Sequence, residues 1–375
     1  MNTPVKLPDH SIALVLGTRP EIIKLAPIAK LLGPAGFVIH TGQHYDFTLA
    51  SAFFSEMSLE PNLALGVGAI SRGQQIGESL RLLDRHFEHS RPLAVIVQGD
   101  TNATLAGALA ANVRGIPLVH VEAGLRSYDR AMPEEHNRVA TDHLADLCCA
   151  PTAVSRDNLA AEGIIGARVE LTGNTIVEAV TRILPTVRGR KHLLNRLRVA
   201  ENRFILATFH RPENVDDRLR LEIILAELNA LPYPVVFPMH PRTAKRISAF
   251  KLDVKVSRLR VIEPTNYHDF LSLAGACALI ISDSGGIQEE ASVLKKPVIV
   301  VRNSTERPEV LGTFGKLVVP GPEISETAQM WAEDIESRHA WLAGLPSPFG
   351  DENASRNCLR ALEGLLSPRL RVIPA

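Results

Sequence analysis

The sequence lacks the features that mark membrane, secreted and nucleic-acid-binding proteins. Lys plus Arg and Asp plus Glu number 41 each among the 375 residues, so the formal net charge is zero. A general nucleic-acid binder needs a surplus of cations to displace counterions, and this chain has none. No apolar run approaches the ~20 residues that span a bilayer, and residues 1–10 contain no apolar run typical of a signal peptide. We therefore expect a protein that binds neither nucleic acid nor membrane.

Cysteine is also scarce, and the four thiols are those of Cys148, Cys149, Cys277 and Cys358. They show no C-x-x-C spacing, and three of them lie in or beside apolar runs. This pattern favours buried free thiols in a reducing cytoplasm over disulfides. No metal site is predicted: His136 and His143 are seven residues apart, which is too far for the i, i+4 pairing of a zinc-binding helix.

What the chain does have is hydrophobic residues, at 45 %, and a regular alternation of apolar strands with helical patterns. At about 150 residues per domain, the length predicts two domains. The first set of strand candidates is residues 11–16, 37–40, 93–97, 117–121, 147–150 and 168–172. The second set is residues 204–208, 234–238, 258–262, 276–281, 297–301 and 316–319. Such strands, separated by helices, indicate parallel sheets covered on both faces. We predict an α/β protein of two doubly wound, Rossmann-like domains facing a central cleft.

The domain boundary is placed in residues 185–202, which are basic and contain no apolar strand. We expect an N-terminal domain over residues 1–186, a C-terminal domain over 187–352, and a helix and tail over 353–375 that pack back on the N-terminal domain. Ligands of doubly wound sheets bind at the turns that follow the strands. Polar residues at those turns are therefore the candidates for function.

Two of these turns suit a phosphate group. Arg19 follows the first strand at a helix start and directs a positive fork towards a bound anion, although a solvated Arg19 and Lys24 would give the same pattern. Ser284, Gly285 and Gly286 open a helix after the strand over residues 276–281. Glycines let backbone N–H groups approach a phosphate, and two glycines cost more than a plain Ser-capped helix needs. A carboxylate deeper in that helix, at Glu290, suits ribose hydroxyls.

Acidic residues end two adjacent strand candidates of the first domain. Asp100 follows residues 93–97, and Glu122 follows residues 117–121. Either acid alone could simply stabilise a helix N-terminus, but the repetition favours a functional role. His210, at the first strand end of the second domain, is also favoured as functional.

A further helical pattern begins at Pro133. Glu134 and Arg138 are four residues apart, so we expect them to share a face and to pair. Asp142 continues that face and is interpreted as part of a helix-surface ion pair.

Seven motifs, in order from about residue 12 to about residue 365, together resemble the non-hydrolysing UDP-N-acetylglucosamine 2-epimerases. They are residues 17–21 (GTRPE), 99–101 (GDT), 120–126 (HVEAGLR), 133–135 (PEE), 210–214 (HRPEN), 283–290 (DSGGIQEE) and 305–309 (TERPE). The resemblance implies the two-domain fold of GT-B glycosyltransferases and a homodimer. It also implies interconversion of UDP-GlcNAc and UDP-ManNAc through elimination of UDP to 2-acetamidoglucal, with neither NAD nor a metal.

The same resemblance implies roles for matched positions. The implied catalytic set is Lys24, Asp100, Glu122, Glu134 and His210. The implied substrate-binding set is Arg19, Arg138, Phe270, Ser284, Gly285, Gly286, Glu290 and Arg307. Within it, Glu290 would hold the ribose and Phe270 would lie near the uracil. Three alternatives remain: a GT-B glycosyltransferase, an epimerase that hydrolyses its product or takes a modified UDP-sugar, and a non-catalytic nucleotide-sugar-binding protein.

One loop departs from the family pattern. Many bacterial members carry Gln-His-Arg after the second strand and bind a second UDP-GlcNAc there as an activator. This chain keeps Gln43 and His44, but Tyr45 replaces the cation and Asp46 adds a negative charge. Arg72 could contribute to this possible allosteric site or could pair with Asp46. Because a like charge opposes a diphosphate, we predict weak or absent activation.

Overall fold

The computed structural model describes residues 7, 8, 10–42, 47–68, 70–184 and 186–370. These residues form two compact units. One comprises the described residues up to Ala179 together with those from Phe349 onward, and the other is Val180–Pro348.

The first unit contains a seven-stranded sheet in which every pairing is parallel. Its strands are β1 (Ile12–Leu16), β2 (Gly36–His40), β3 (Leu63–Ala64), β4 (Ala94–Gln98), β5 (Leu118–Val121), β6 (Leu147–Ala150) and β7 (Val169–Leu171), in the order β3-β2-β1-β4-β5-β6-β7. Its helices are α1 (Arg19–Leu32), α2 (Phe47–Glu56), α3 (Arg72–His89), α4 (Asn102–Val113), α5 (Pro133–Leu144), α6 (Ala153–Ala161) and α7 (Ile176–Ile183), the last of which ends in the second unit.

The second unit contains a six-stranded parallel sheet. Its strands are β8 (Ile205–Thr208), β9 (Val235–Pro238), β10 (Arg260–Ile262), β11 (Leu279–Ser282), β12 (Val298–Val301) and β13 (Gly315–Val318), in the order β10-β9-β8-β11-β12-β13. Its helices are α8 (Val187–Leu197), α9 (Pro212–Val215), α10 (Arg218–Asn229), α11 (Pro241–Phe250), α12 (Tyr267–Ala276), α13 (Gly285–Leu294), α14 (Glu323–Glu333) and α15 (Ile335–Ala343).

Burial explains why the apolar runs became strands. Every residue of β1, β4 and β12 is buried, as expected for strands covered by helices on both faces. The prediction of two Rossmann-like α/β domains is confirmed. Edge strands were harder to predict: β3 has only two residues, and β7 is shorter than the predicted 168–172 and is partly exposed.

The last helix, α16 (Ala354–Leu370), belongs to the first unit and contacts α1 and β6. The Glu178 carboxylate accepts hydrogen bonds from the Ser355 backbone N–H at 2.6 Å and from its hydroxyl at 2.5 Å. The buried Glu178 carboxylate, by accepting both hydrogen bonds, thus ties the start of α16 to α7.

Two expectations about composition can be compared with this structure. All four cysteines are free and buried, which confirms the prediction of free thiols. No helix in the described part of the chain is long and apolar enough to cross a bilayer.

Candidate active site

Glu122 lies directly after β5, where the backbone adopts a left-handed conformation with φ of 68°. Its buried carboxylate forms an ion pair with the Nζ atom of Lys24 from α1. Gln98 and Asn174 donate side-chain N–H groups to the same oxygen at 3.1 and 3.3 Å. The structure therefore brings together Lys24 and Glu122, which the sequence places 98 residues apart.

Asp100 lies one strand away, after β4, and its side chain is 27 % exposed. Its carboxylate pairs with the Arg138 guanidinium, which also pairs with Glu135. The predicted pairing of Arg138 with Glu134 is wrong. Glu135 is turned inward, where its carboxylate accepts the backbone N–H groups of Ser127 and Tyr128. Arg138 pairs with Glu135 there instead of with Glu134.

Glu134 is half-buried at the start of α5. Its side chain has no hydrogen bond or ion pair with the residues that the structure describes. The first turn of α5 therefore presents two acids with different surroundings. Glu135 binds backbone N–H groups and Arg138 of its own unit, and Glu134 is available to a ligand.

Asp142 is not in a helix-surface ion pair, and that prediction is wrong. Its side chain is fully buried because α5 packs this face against β5. One carboxylate oxygen lies 2.6 Å from His120 Nδ1, and the other lies 2.7 Å from an Arg126 nitrogen.

Arg19 lies at the first turn of α1, with its guanidinium 4.4 Å from the centre of the Phe53 ring. The neighbouring Glu21 was missed by sequence reasoning. Its buried carboxylate accepts the backbone N–H groups of Gly17 and Thr18 at 2.9 and 2.7 Å, and the Thr101 hydroxyl at 2.8 Å. Glu21 thus joins the turn that carries Arg19 to the turn that carries Asp100.

Burial raises the pKa of Glu21 from 4.5 to about 7, although its hydrogen bonds act in the opposite direction. The folded protein therefore holds this proton more tightly than the unfolded chain does. The resulting stabilisation is fully present below about pH 4.5 and is lost as the pH rises through about 7. The shift corresponds to about 3 kcal/mol.

We expect Glu21→Gln to raise the free energy of unfolding at pH 8.5 and to flatten its pH dependence between pH 5.5 and 8.5. Glutamine keeps the shape but stays neutral, and its amide can accept from Gly17 and donate to Thr101. Urea unfolding at both pH values measures the effect, with Glu333→Gln at an exposed position as the control. An unchanged pH slope in Glu21→Gln would contradict this assignment.

In the second unit, Ser284 is the N-cap of α13, but its side chain makes no capping hydrogen bond. A plain Ser cap therefore does not explain this turn. A Cβ atom on Gly285 would lie 2.6 Å from both Arg307 and Glu306, whereas a Cβ on Gly286 would meet nothing within 4 Å. Gly285 is needed for packing, and Gly286 leaves open space beside the helix N-terminus.

Asp283 organises the start of this turn and was not singled out from the sequence. Its fully buried carboxylate accepts the backbone N–H groups of His210 and Arg211 at 3.2 and 3.0 Å, and a side-chain N–H of Asn214 at 3.2 Å. His210 Nδ1 lies 3.4 Å from the same carboxylate, and the ring is 40 % exposed. His210 is thereby held at the end of β8, next to the strand that leads to Ser284.

Glu290 lies in α13, where its carboxylate accepts a hydrogen bond from the buried Tyr267 hydroxyl at 2.8 Å. Phe270 lies one turn further along α12 and is largely buried. Tyr267 was another residue that the sequence did not single out, because a tyrosine in an amphipathic helix is usually part of the core.

Arg307 belongs to a buried cluster of charges beneath the turn. It pairs with Glu289 and with Glu306, and Glu306 also pairs with Arg302 at 2.7 Å. Arg211 also pairs with Glu306, and Arg302 with Glu213. Three cations and three anions thus balance, as buried charges must. Arg307 supports Gly285 through this cluster.

The possible allosteric residues are only partly described. Gln43 and His44 lie outside the described residues. Arg72 donates hydrogen bonds to the Pro133 carbonyl at 3.0 Å and to Asn137 at 2.8 Å, and so it supports the start of α5.

Known proteins resemble this chain over nearly its whole length. A sequence profile of the UDP-N-acetylglucosamine 2-epimerase family matches residues 35–363. The UDP-N-acetylglucosamine 2-epimerase of Methanococcus maripaludis is 37 % identical, covering 96 % of this chain and 100 % of the relative. The UDP-2,3-diacetamido-2,3-dideoxy-D-glucuronate 2-epimerase of Pseudomonas aeruginosa is 36 % identical over 83 % of this chain and 88 % of that protein.

A solved structure extends this agreement to the fold. The crystal structure of Methanocaldococcus jannaschii UDP-GlcNAc 2-epimerase, in complex with UDP-GlcNAc and UDP, matches with a TM-score of 0.82 at 37 % identity. The match covers 94 % of this chain and 99 % of that one. The chain therefore belongs to the UDP-N-acetylglucosamine 2-epimerase family.

Proposed function

We propose that this protein interconverts UDP-GlcNAc and UDP-ManNAc without releasing a hydrolysed product. The observation that carries the proposal is the pair of carboxylates at the ends of β4 and β5. Asp100 pairs with Arg138, and Glu122 pairs with Lys24. Two acids on adjacent strands, each next to a cation, suit a reaction in which a proton leaves one face of a ring and returns to the other.

The chemistry requires elimination, because C2 of the sugar is not adjacent to a carbonyl and its proton is only weakly acidic. A base removes the C2 proton while the C1–O bond breaks, and UDP leaves to give 2-acetamidoglucal. UDP then adds back at C1 as C2 receives a proton on the opposite face. Asp100 and Glu122 are the proposed proton carriers, with Glu134 as a third acid.

Cations must stabilise the diphosphate as it leaves. Lys24, Arg19 and His210 are assigned to this role. The turn of Ser284, Gly285 and Gly286 at the N-terminus of α13 is assigned to phosphate binding.

The same unit is proposed to recognise the nucleoside. Glu290, oriented by Tyr267, would accept the ribose hydroxyls, and Phe270 would lie near the uracil. Arg307 and Arg138 are assigned to the same substrate, the first through its support of Gly285 and the second through Asp100.

The deciding experiment is incubation with UDP-GlcNAc in D₂O followed by proton NMR. We expect deuterium at C2 of both epimers, with traces of free UDP and 2-acetamidoglucal. Retention of protium at C2 during turnover would exclude the mechanism. Accumulation of free ManNAc with equimolar UDP would identify a hydrolysing enzyme, and a requirement for added NAD would indicate a keto intermediate.

A modified UDP-sugar is the second candidate substrate. It is favoured by the 36 % identity to the Pseudomonas aeruginosa enzyme named for a diacetamido glucuronate. Comparing kcat/KM for UDP-GlcNAc with kcat/KM for UDP-2,3-diacetamido-2,3-dideoxy-D-glucuronate separates the two candidate substrates.

A homodimer is also proposed, and light scattering would then give about twice the monomer mass of 40.9 kDa.

We expect the enzyme to epimerise pure UDP-ManNAc without a lag and with a Hill coefficient near one. The charge change at Tyr45 and Asp46 disfavours a second diphosphate, and Arg72 is bound to α5. Progress curves with and without trace UDP-GlcNAc measure this. A lag that trace UDP-GlcNAc abolishes would show that the activator site persists.

A further inference from the structure

A continuous hydrogen-bonded connection runs from α5 through β5 to β4 in the first unit. His120, on β5, is fully buried, and its Nδ1 atom lies 2.6 Å from Asp142. Its Nε2 atom lies 2.8 Å from the Gly99 carbonyl oxygen. Both ring nitrogens face oxygen atoms, and each contact is a hydrogen bond when one proton lies between the nitrogen and the oxygen. The connection therefore ends at the residue directly before Asp100.

The second oxygen of Asp142 leads to the other acid. It accepts the Gly124 backbone N–H at 3.1 Å and lies 2.7 Å from Arg126. Gly124 is two residues after Glu122, in the turn where Glu122 has its left-handed backbone. One carboxylate thus holds the backbone of both turns that carry the proposed proton carriers.

The charges around this carboxylate are balanced. Burial alone would raise the pKa of Asp142, but the charges and hydrogen bonds of His120 and Arg126 outweigh it and lower that pKa. Arg126 also donates two hydrogen bonds of 2.7 Å to Glu162. The carboxylates of Asp142 and Glu162 therefore both face Arg126, Asp142 also contacts the His120 ring, and the ionised Asp142 is stable within the core.

We infer that Asp142, acting through His120, is a positioning residue that sets the separation of the Asp100 and Glu122 carboxylates. Asp142 does not contact the substrate in this role. The inference rests on the proposed function, because it assigns those two acids to the proton transfers. Displacing one of them by about 1 Å is enough to lower the rate by ~10²-fold.

The test uses Asp142→Ala and the milder Asp142→Asn in the full chain. Asparagine can still accept the Gly124 backbone N–H and can donate its amide N–H to His120 Nδ1, so it should retain more activity than alanine. We expect kcat to fall about 10²-fold in Asp142→Ala and about 10-fold in Asp142→Asn. The Kd for UDP should stay within about twofold of wild type in both, because its proposed site lies in the other unit.

Two readouts separate positioning from loss of folded protein. The first is the kinetic isotope effect with UDP-GlcNAc deuterated at C2, and the second is the ratio of released 2-acetamidoglucal to epimer formed. Neither depends on the amount of active enzyme. We expect both to rise in the two variants, since a misplaced acid slows proton transfer and lets the intermediate escape.

The matched control is Asp146→Asn. Asp146 lies just after α5, whereas Asp142 lies within it. The Asp146 carboxylate accepts the backbone N–H of Leu118 at 2.9 Å, at the amino end of β5. The Asp146→Asn variant should leave unchanged both the kinetic isotope effect and the ratio of released 2-acetamidoglucal to epimer. If the folded Asp142 variants keep wild-type values, or if Asp146→Asn changes them equally, the inference is wrong. If Asp142→Ala does not fold, the same two measurements on Asp142→Asn decide whether the inference holds. Failure of the wild-type enzyme to exchange the C2 proton would instead overturn the proposed function.

Discussion

Asp100→Asn is expected to lower kcat at least ~10²-fold while UDP binding persists, since this is the usual effect of removing a general acid or base. The substitution preserves shape and removes only the ability to carry a proton. Arg138 keeps its second carboxylate partner, Glu135, so the protein should remain folded. Steady-state kinetics and calorimetric titration with UDP measure the two quantities. A variant that lost UDP affinity but kept kcat would show that Asp100 binds the nucleotide instead.

Glu122→Gln should give a similar loss of kcat but a different loss of stability. The substitution takes away the carboxylate partner of Lys24, whose side chain is only 3 % exposed. Removing one member of a buried ion pair costs about 3–5 kcal/mol. Its kcat must therefore be normalised to the folded fraction. Glu290→Gln provides the contrast, because it should weaken UDP binding directly.

Gly124→Ala is expected to destabilise the protein by about 3–5 kcal/mol. Gly124 has a φ of 83°, and an added Cβ would lie 2.2 Å from the Ser155 carbonyl oxygen, which is backbone and cannot move aside. Backbone strain and overpacking therefore add. The measurement is urea unfolding of the full chain.

Gly163→Ala is the matched control for this prediction. Gly163 has nearly the same φ, 80°, but its added Cβ would meet nothing within 4 Å. Gly163→Ala should lower the free energy of unfolding through backbone strain alone, by about 1–2 kcal/mol. Equal losses at the two positions would mean that the contact with Ser155 relaxes and that overpacking contributes nothing.

The sequence predicted the sheets well because buried strands carry a direct signal. β1, β4, β5 and β12 are short, mostly apolar runs that end in turn residues, and their short length favours strands over helices. β3 has no such signal, since two residues on an edge do not form a pattern.

The site was harder to predict, because helical spacing defines a face but not what covers it. Glu134, Glu135 and Arg138 lie close together on α5, but it is Glu135 that turns inward, where it accepts the backbone N–H groups of Ser127 and Tyr128. Asp142 was expected at the surface because carboxylates are rarely buried. Its partners, His120 and Arg126, come from another strand and turn, and nothing in local spacing indicates them.

The anchoring of α16 has a consequence for synthesis of the protein on the ribosome. The second unit, Val180–Pro348, is contiguous and is translated completely before Ala354 appears. The first unit begins earlier but must wait for the last helix to emerge before Ser355 can reach Glu178. The unit that starts first is therefore the one that finishes last, and a chain terminated just before Ala354 would contain every strand of both sheets yet leave the first unit incomplete.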